Sequence, residues 1–240
     1  MPSRSDQRQY PAQGARVSTV LAFDCAVSGQ GVAIVRDGEA LANLLEEGRD
    51  QAARLLPAIV AALEAARVAR AELDLIAVTT GPGSFTGVRV GLSAARGLAI
   101  GLGIPLAGIA TTAVLRAQAP ATDRLVVAAV DTRLGDWFCA IGDDPAPFAA
   151  TAEDLAVRLA GRRSLIVGKD VAPLCRSLQA AGVDAIAQDG PPDAVVLGRL
   201  AADCGVEAWS ARNRAEGLPR PLYLRGVNIT LPDGARRTVE

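Results

Sequence analysis

Residues 77–102 read AVTTGPGSFTGVRVGLSAARGLAIGL, and this stretch carries the strand–turn–helix unit on which the fold prediction rests. An apolar strand, a glycine-rich turn and the start of a helix follow one another, which is also the order found in phosphate-binding loops. Small residues then recur every fourth position along the helix. They form two rows, Gly87-Gly91-Ala95 and Ser93-Gly97-Gly101.

The glycine spacing disfavours the named phosphate loops. Gly81, Gly83 and Gly87 are spaced one residue too far apart for a dinucleotide-binding turn, and Val88 stands where a Walker A loop needs lysine. The helix start could still hold an anion, since its first N–H groups have no partners within the helix. The candidate contacts there are Gly83, Ser84, Thr86 and Arg89.

The small residues on this helix predict a close-packing surface and not a catalytic loop. Glycine inside a helix costs about 1 kcal/mol relative to alanine, so the close approach of a neighbouring backbone must offset several such residues. From the residues alone, that neighbour is either a sheet of the same chain or a helix of another chain. Both alternatives stay open at this point.

Composition excludes several classes of site. The chain of 240 residues contains no histidine, so no imidazole base, histidine metal ligand or Ser-His-Asp triad exists. Its four cysteines are far apart in sequence and are predicted to be buried, reduced thiols. Lys169 is the only lysine. We therefore predict no catalytic residue and no metal site.

The charge and hydropathy patterns give no sign of a membrane or a nucleic-acid surface. The formal net charge is −1, so no global field attracts polyanions. No apolar run reaches the roughly 18–20 residues that span a bilayer, and the first residues do not resemble a signal peptide. A cytoplasmic protein without membrane contact is expected.

The order of predicted elements repeats along the chain. Strands, turns and helices between residues 18 and 120 follow the order β-β-β-α-β-α-β-α, which indicates an α/β fold with mixed sheets flanked by helices. The strand at Val20–Asp24 is matched by Val126–Asp131, and Gly31–Ile34 by Phe138–Ile141. We interpret this as an internal duplication with a boundary near residues 120–124.

Asp24 and Asp131 each end one of the matched strands. In actin, hexokinase and Hsp70, repeated acids of this kind lie beside a nucleotide held between the two halves. Such acids contact magnesium or phosphate, whereas in other proteins they cap turns. Residues 25–29 lack the hydroxyl-and-glycine turn that would clamp a phosphate, and this favours capping.

Several longer motifs resemble one family. LAFD, LLPAI, AVTTGPGSFTGVRVGLSAARGLAIGLGIPLAGI, VDTRLGDWF and PLYLR are similar to segments of the TsaB family, also called YeaZ, over residues 17–225. The resemblance implies an actin-like (ASKHA, ribonuclease H-like) two-lobe fold. The expected division is a disordered segment at 1–16, an N-terminal lobe with partner-binding helices at 17–120, a smaller C-terminal lobe at 121–226 and a tail at 227–240.

The resemblance also implies a function. Members of this family take part in making N6-threonylcarbamoyladenosine at position 37 of tRNA, as the non-catalytic partner of the transferase TsaD. The ATPase TsaE joins that pair, so ATP belongs to partner proteins, this chain needs no cofactor, and tRNA is reached through the complex. An ATPase or peptidase acting alone and a homodimeric binding module are the alternatives.

In the resembling family, two helices form the dimer contact. Carried over to this sequence, the expected contact residues are Leu55, Leu56, Ile59, Leu63, Gly87, Val90, Gly91, Ala94 and Leu98. One departure concerns the first lobe, because Cys25-Ala26 stands where many relatives have hydroxyl residues. That departure weakens the expectation that this lobe binds ATP by itself.

Overall fold

The computed structural model describes residues 18–27, 29–48, 50–144 and 146–224, and the backbone of 227–230 and 236–239. The strands are β1 (Thr19–Asp24), β2 (Gln30–Arg36), β3 (Glu39–Glu46), β4 (Leu75–Thr79), β5 (Leu106–Ile109), β6 (Leu125–Asp131), β7 (Trp137–Ile141), β8 (Phe148–Ala150), β9 (Ser164–Gly168), β10 (Ala185–Asp189), β11 (Val227–Thr230) and β12 (Arg236–Val239). The helices are α1 (Gln51–Ala66), α2 (Phe85–Leu102), α3 (Thr111–Ala117), α4 (Ala152–Leu159), α5 (Ala172–Ala180), α6 (Ala194–Cys204) and α7 (Val206–Glu216), with a 3-10 turn at Arg70–Glu72.

Two five-stranded sheets share one topology. The first has the strand order β3-β2-β1-β4-β5, and the second has the order β10-β9-β6-β7-β8, which is the same arrangement read from the other edge. In each sheet three antiparallel strands are followed by two strands that pair in parallel. The predicted duplication is confirmed, and so is the actin-like, ribonuclease H-like α/β class.

The alternation of side chains in β1 explains why helices cover both faces of the first sheet. Leu21 and Phe23 belong to the apolar cluster that includes α1 and α2, whereas Val20 and Ala22 belong to the cluster that includes α6 and Trp209 of α7. Successive strand residues point to opposite faces, so a strand that is apolar throughout needs a helix layer on each side.

This packing corrects the predicted domain division. Residues 121–226 were expected to form the second lobe, but α6 and α7 lie against the first sheet and complete the core of the first lobe. Asn213 fixes α7 to β5, because its Nδ2 donates to the Leu106 carbonyl (3.0 Å) and its Oδ1 accepts from the Leu106 N–H (2.7 Å). The second lobe therefore consists of β6–β10 with α4 and α5.

The chain passes between the lobes twice, and the two crossings lie side by side. Gln118, just after α3, donates from Nε2 to the Pro191 carbonyl at 3.2 Å. Its Oε1 accepts a hydrogen bond from the Asp193 N–H at 3.0 Å. One side chain thus joins the outgoing and the returning segments.

Several described elements were not predicted from the sequence. Among them are the short β8, the largely exposed β10 and the polar helix α7, in which only Trp209 is buried. The expected tail at 227–240 contains two short strands, β11 and β12, which pair with each other. The predicted disordered segment at 1–16 lies outside the described residues.

Candidate partner surface and interlobe cleft

The glycine-rich turn before α2 packs against the backbone that follows β1. Ser84 caps the helix, and its Oγ accepts a hydrogen bond from the Gly87 N–H at 3.2 Å. A Cβ atom on Gly83 would lie 2.1 Å from the Ala26 carbonyl oxygen, and one on Gly87 would lie 1.9 Å from the Cys25 carbonyl oxygen. These two glycines are therefore needed for close packing within the first lobe.

The two rows of small residues on α2 have different neighbours. In the first row, a Cβ on Gly91 would be 3.4 Å from Cγ2 of Val78 in β4, so this row packs on the lobe's own sheet. In the second row, a Cβ built on Gly97 or Gly101 would have no atom of another described residue within 4 Å. The second row is therefore open, and the predicted close packing on the first row is intramolecular.

Burial divides the nine expected contact residues into two groups. Five of them face the first lobe's own core and cannot contact a partner in this structure; they are Leu55, Ile59, Leu63, Gly87 and Gly91. Leu56 is 53% exposed, and Val90, Ala94 and Leu98 are half-buried. The helical repeat explains why three of the expected contact residues of α1 are buried, since residues 55, 59 and 63 share the inward side of that helix.

An apolar outer surface remains on the same two helices. Leu56 and Val60 of α1 are each 53% exposed, and Ile100 of α2 is 72% exposed. Together with the open Gly97 and Gly101, we call these residues the α1–α2 face. Small residues beside exposed large apolar ones let another helix approach closely, so this face is suited to a protein partner.

Asp24 is buried inside the first lobe. Its Oδ1 accepts hydrogen bonds from Thr79 Oγ1 (2.5 Å) and from the Ala26 N–H (3.0 Å), and the residue is 2% exposed. Burial raises the pKa of Asp24 to about 6, while these hydrogen bonds act in the opposite direction. The carboxyl group holds the turn after β1 and does not line the cleft described below.

Asp131 has the corresponding place in the second lobe. Its Oδ1 accepts a hydrogen bond from the Arg133 N–H at 2.7 Å, so it caps the turn after β6 as Asp24 caps the turn after β1. Its Oδ2 also lies 3.5 Å from the Arg133 Nε. Asp24 and Asp131 therefore both cap turns in this structure, which is the second of the two roles considered for them.

A cleft of about 500 Å³ lies between the lobes. Its first wall comes from the segment after β1, the start of α2 and residues 222–224, and its second wall comes from β6, β7 and the loop between them, with Lys169 at one side. Three of the expected anion contacts line it, namely Gly83, Ser84 and Asp131. Thr86 and Arg89 lie exposed on the first two turns of α2.

Two aromatic residues at this cleft, Phe85 and Tyr223, were not among the residues predicted from the sequence. The Arg89 guanidinium carbon lies 3.6 Å from the centre of the Phe85 ring, and its Nε donates to the Tyr223 hydroxyl at 2.9 Å. The contact between Phe85 and Arg89 could have been predicted from the sequence, because residues four apart are neighbours on one side of a helix. Tyr223 could not, because it comes from a segment 134 residues after Arg89.

That segment, residues 217–224, crosses the first lobe as an extended strap. The Leu222 N–H donates to the Thr80 carbonyl at 2.8 Å, and Arg96 Nε donates to the Pro219 carbonyl at 3.0 Å. Gly108 lets the strap pass closely, because a Cβ there would lie 2.4 Å from Cβ of Pro219. The strap thereby delivers Tyr223 to the start of α2.

The four cysteines are free and buried, as predicted. Burial raises the pKa of each thiol, to about 12 for Cys139, so all four are neutral thiols near neutral pH. Within the described part of the chain, no cluster of three or more His, Cys, Asp or Glu side chains could hold a metal ion. Over the same residues, no helix is both long and apolar enough to cross a bilayer.

Sequence comparison relates this chain to proteins of tRNA modification. Residues 45–156 match the family described as TsaD: tRNA N6-adenosine threonylcarbamoyltransferase. The chain is 33% identical over 123 residues to an Escherichia coli K12 protein described as tRNA threonylcarbamoyladenosine biosynthesis protein TsaB, covering 50% of this chain and 53% of the relative. A Haemophilus influenzae protein of the same description is 38% identical over 126 residues, covering 50% and 52%. The chain thus spans about half the length of the curated relatives that it matches.

Structure comparison extends the similarity to nearly the whole chain. A crystal structure of a Pseudomonas aeruginosa protein, described as uncharacterized with similarity to peptidase YeaZ, aligns with a TM-score of 0.69 and 30% identity. The alignment covers 87% of this chain and 100% of that one. The similarity of fold and sequence over that full length shows that the chain belongs to the TsaB (YeaZ) family.

Proposed function

We propose that this chain is a non-catalytic subunit of the complex that forms N6-threonylcarbamoyladenosine at position 37 of tRNA. In this proposal it binds TsaD as a heterodimer, works with TsaE in the cytoplasm, and reaches tRNA through the complex. The biosynthetic role named for the E. coli and H. influenzae relatives supports the pathway. The ATP that the pathway uses is bound by the partner proteins, and this chain supplies no catalytic group.

The observation that carries the proposal is the α1–α2 face. Exposed large apolar side chains on neighbouring helices, next to glycines with no atoms above them, are costly in a protein that stays alone in water. A helix pair of similar shape would bury Leu56, Val60 and Ile100 and would bring its backbone close to Gly97. TsaD is the partner proposed here, because the chain itself matches the TsaD family over residues 45–156, and two similar chains can pair through the same surface as the subunits of a two-fold dimer do.

Reconstitution tests the functional role. TsaD, TsaE, tRNA and threonylcarbamoyl-AMP are combined with and without this chain, and the modified nucleoside is measured in digested tRNA. We expect modification only when the chain is present, and no turnover of ATP or of peptide substrates by the chain alone. Equal modification without the chain, or turnover by the isolated chain, would contradict the proposal.

Replacing Gly97 by leucine tests the surface. The leucine side chain would project from the open row of α2 into the space that a partner helix must occupy, so affinity for TsaD should fall about 30-fold, or about 2 kcal/mol. Calorimetric titration of the chain with TsaD measures this change. Unchanged affinity would mean that TsaD binds elsewhere.

A matched control separates the surface from a general effect of leucine. Ala180 is the last residue of α5, lies exposed on the second lobe, and is replaced by leucine in the same way. This variant should bind TsaD like the unmodified chain. The homodimer alternative uses the same α1–α2 face, so sedimentation of the chain without TsaD should show less self-association for Gly97→Leu than for Ala180→Leu.

A further inference from the structure

A second cleft opens at the opposite end of β6 from the interlobe cleft. Val130 and Asp131, at the end of β6, line the interlobe cleft, whereas Leu125 and Val126, at its start, line this one. We call it the α3–α6 cleft, because α3 and the last turns of α6 line it opposite β6. Its volume of about 690 Å³ falls within the range of pockets that hold small molecules.

The walls of the α3–α6 cleft are mainly apolar. Ile109, Leu200 and Trp209 line the side of the first lobe. Leu125 and Val126 line the side of the second lobe. The four aliphatic side chains are only half-buried, so each presents apolar surface to the cleft. An apolar body placed there would exchange water for contact with both lobes.

Four charged side chains line the same cleft, two of each sign, and they differ in depth. The side chains of Arg116 and Arg124 are only 21% and 15% exposed. Asp143 is fully exposed, and Asp203 is also exposed. Water and salt screen exposed charges much more than partly buried ones. A ligand inside the cleft therefore meets mainly positive charge.

Arg116 is the arginine placed to receive an anion. Its Nη1 donates to the Asp144 carbonyl at 3.1 Å, which fixes the guanidinium group. Its Nη2 lies 3.6 Å from Oδ1 of Asp143, which is too long for a hydrogen bond. A carboxylate that accepts from Nη2 would replace only this long contact with an exposed acid. Arg124 adds positive charge, but its Nη1 already donates to Oδ1 of Asp184 at 2.8 Å.

We propose that the α3–α6 cleft binds a small organic carboxylate, with its apolar body between the lobes and its carboxylate at Arg116. One available guanidinium edge suits a single carboxylate better than a phosphate group, which carries more charge and more acceptor oxygens. None of the residues of the α1–α2 face lines this cleft. The proposal therefore does not rest on the partnership with TsaD.

The fluorescence of Trp209 tests the proposal. The chain has two tryptophans, and Trp137 does not line the cleft, so Trp137→Phe leaves Trp209 as the only reporter. Octanoate, 1-octanol and octylamine are titrated into this full-length variant at neutral pH, because they share one alkyl chain and carry a negative, a neutral and a positive head group. We expect a saturable change in emission, with octanoate binding at least about tenfold tighter than the other two.

The other two ligands define the results that would overturn the proposal. Equal affinity for 1-octanol would show an apolar cleft in which Arg116 takes no part. Tighter binding of octylamine would show that Asp143 or Asp203 sets the charge preference instead. Octanoate binding that is lost as the protein concentration rises would assign the cleft to a second copy of the chain. Calorimetry on the same samples should give one octanoate per chain, and no saturable binding by either method would also overturn the proposal.

Matched variants make the result specific to Arg116. Arg116→Gln should weaken octanoate binding about tenfold and leave 1-octanol binding unchanged, which also shows that the variant keeps the cleft folded. Arg163 forms exposed ion pairs with Asp123 and Asp184 but does not line the cleft, so Arg163→Gln should bind octanoate like the parent variant. Octanoate binding that Arg116→Gln does not alter, or an equal loss for both ligands, would contradict the assignment.

Discussion

Replacing Gly87 by alanine is expected to lower the free energy of unfolding by about 3–5 kcal/mol. The added Cβ would lie 1.9 Å from the Cys25 carbonyl oxygen, and a backbone atom cannot rotate away as a side chain can. The start of α2 would have to move off the turn after β1, which would stretch the 2.6 Å hydrogen bond from the Ser84 N–H to the Ala26 carbonyl. Urea denaturation followed by circular dichroism measures the change.

The same substitution ten residues later is the matched control. Gly97 lies on the same helix, and no described atom lies within 4 Å of a Cβ at that position. Gly97→Ala should therefore raise the free energy of unfolding by about 1 kcal/mol, because alanine favours the helix and meets no obstacle. Changes of the same sign at both positions would show that the contact with Cys25 does not constrain the fold.

The free energy of unfolding should also depend on the ionisation of Asp24. Its pKa is about 6 in the folded protein and 3.8 when unperturbed, so between these values the folded state binds more protons than the unfolded state. The contribution of neutral Asp24 to the free energy of unfolding is fully present below about pH 4. It declines as the pH rises through about 6 and is lost above that. The whole change amounts to about 3 kcal/mol.

Asp24→Asn isolates this contribution from other groups. Asparagine keeps a carbonyl oxygen for the hydrogen bonds from Thr79 and Ala26 but does not titrate. The difference in unfolding free energy between the variant and the unmodified chain should shift in favour of the variant by about 3 kcal/mol from pH 4 to pH 7.5. Exposed acids with lowered pKa, such as Glu72 and Asp184, occur in both proteins and cancel. A difference that is constant with pH would contradict the assignment.

Local sequence patterns were enough to predict most of the architecture. Apolar strands ending in aspartate occur at matching places in the two halves, and the repeat predicted the shared sheet topology. The helix cap at Ser84 agrees with its residue type and with its place directly before an apolar helix. The burial of β1 on two faces was also implicit in its unbroken apolar run, although the helices that cover the second face were not assigned to it.

The features that were predicted wrongly or not at all depend on contacts between distant parts of the chain. Whether Leu55 or Leu56 faces outward is decided by the angle at which α1 lies on β2 and β3, and the sequence of α1 is apolar at both positions. Helix α7 lacks an amphipathic pattern and is held mainly by Trp209 and Asn213. Tyr223 reaches Arg89 only because the strap crosses the first lobe, and no local signal reports such a crossing.

The return of α6 and α7 to the first lobe has a consequence for biosynthesis. The N-terminus of a growing chain leaves the ribosome first, and domains generally fold as units once they are complete. All five strands of the second sheet, ending at Asp189, leave the ribosome before the helices that cover Val20 and Ala22. The lobe whose strands come second in the sequence is therefore the first that can finish folding, and the first lobe closes only after α6 and α7 have followed it.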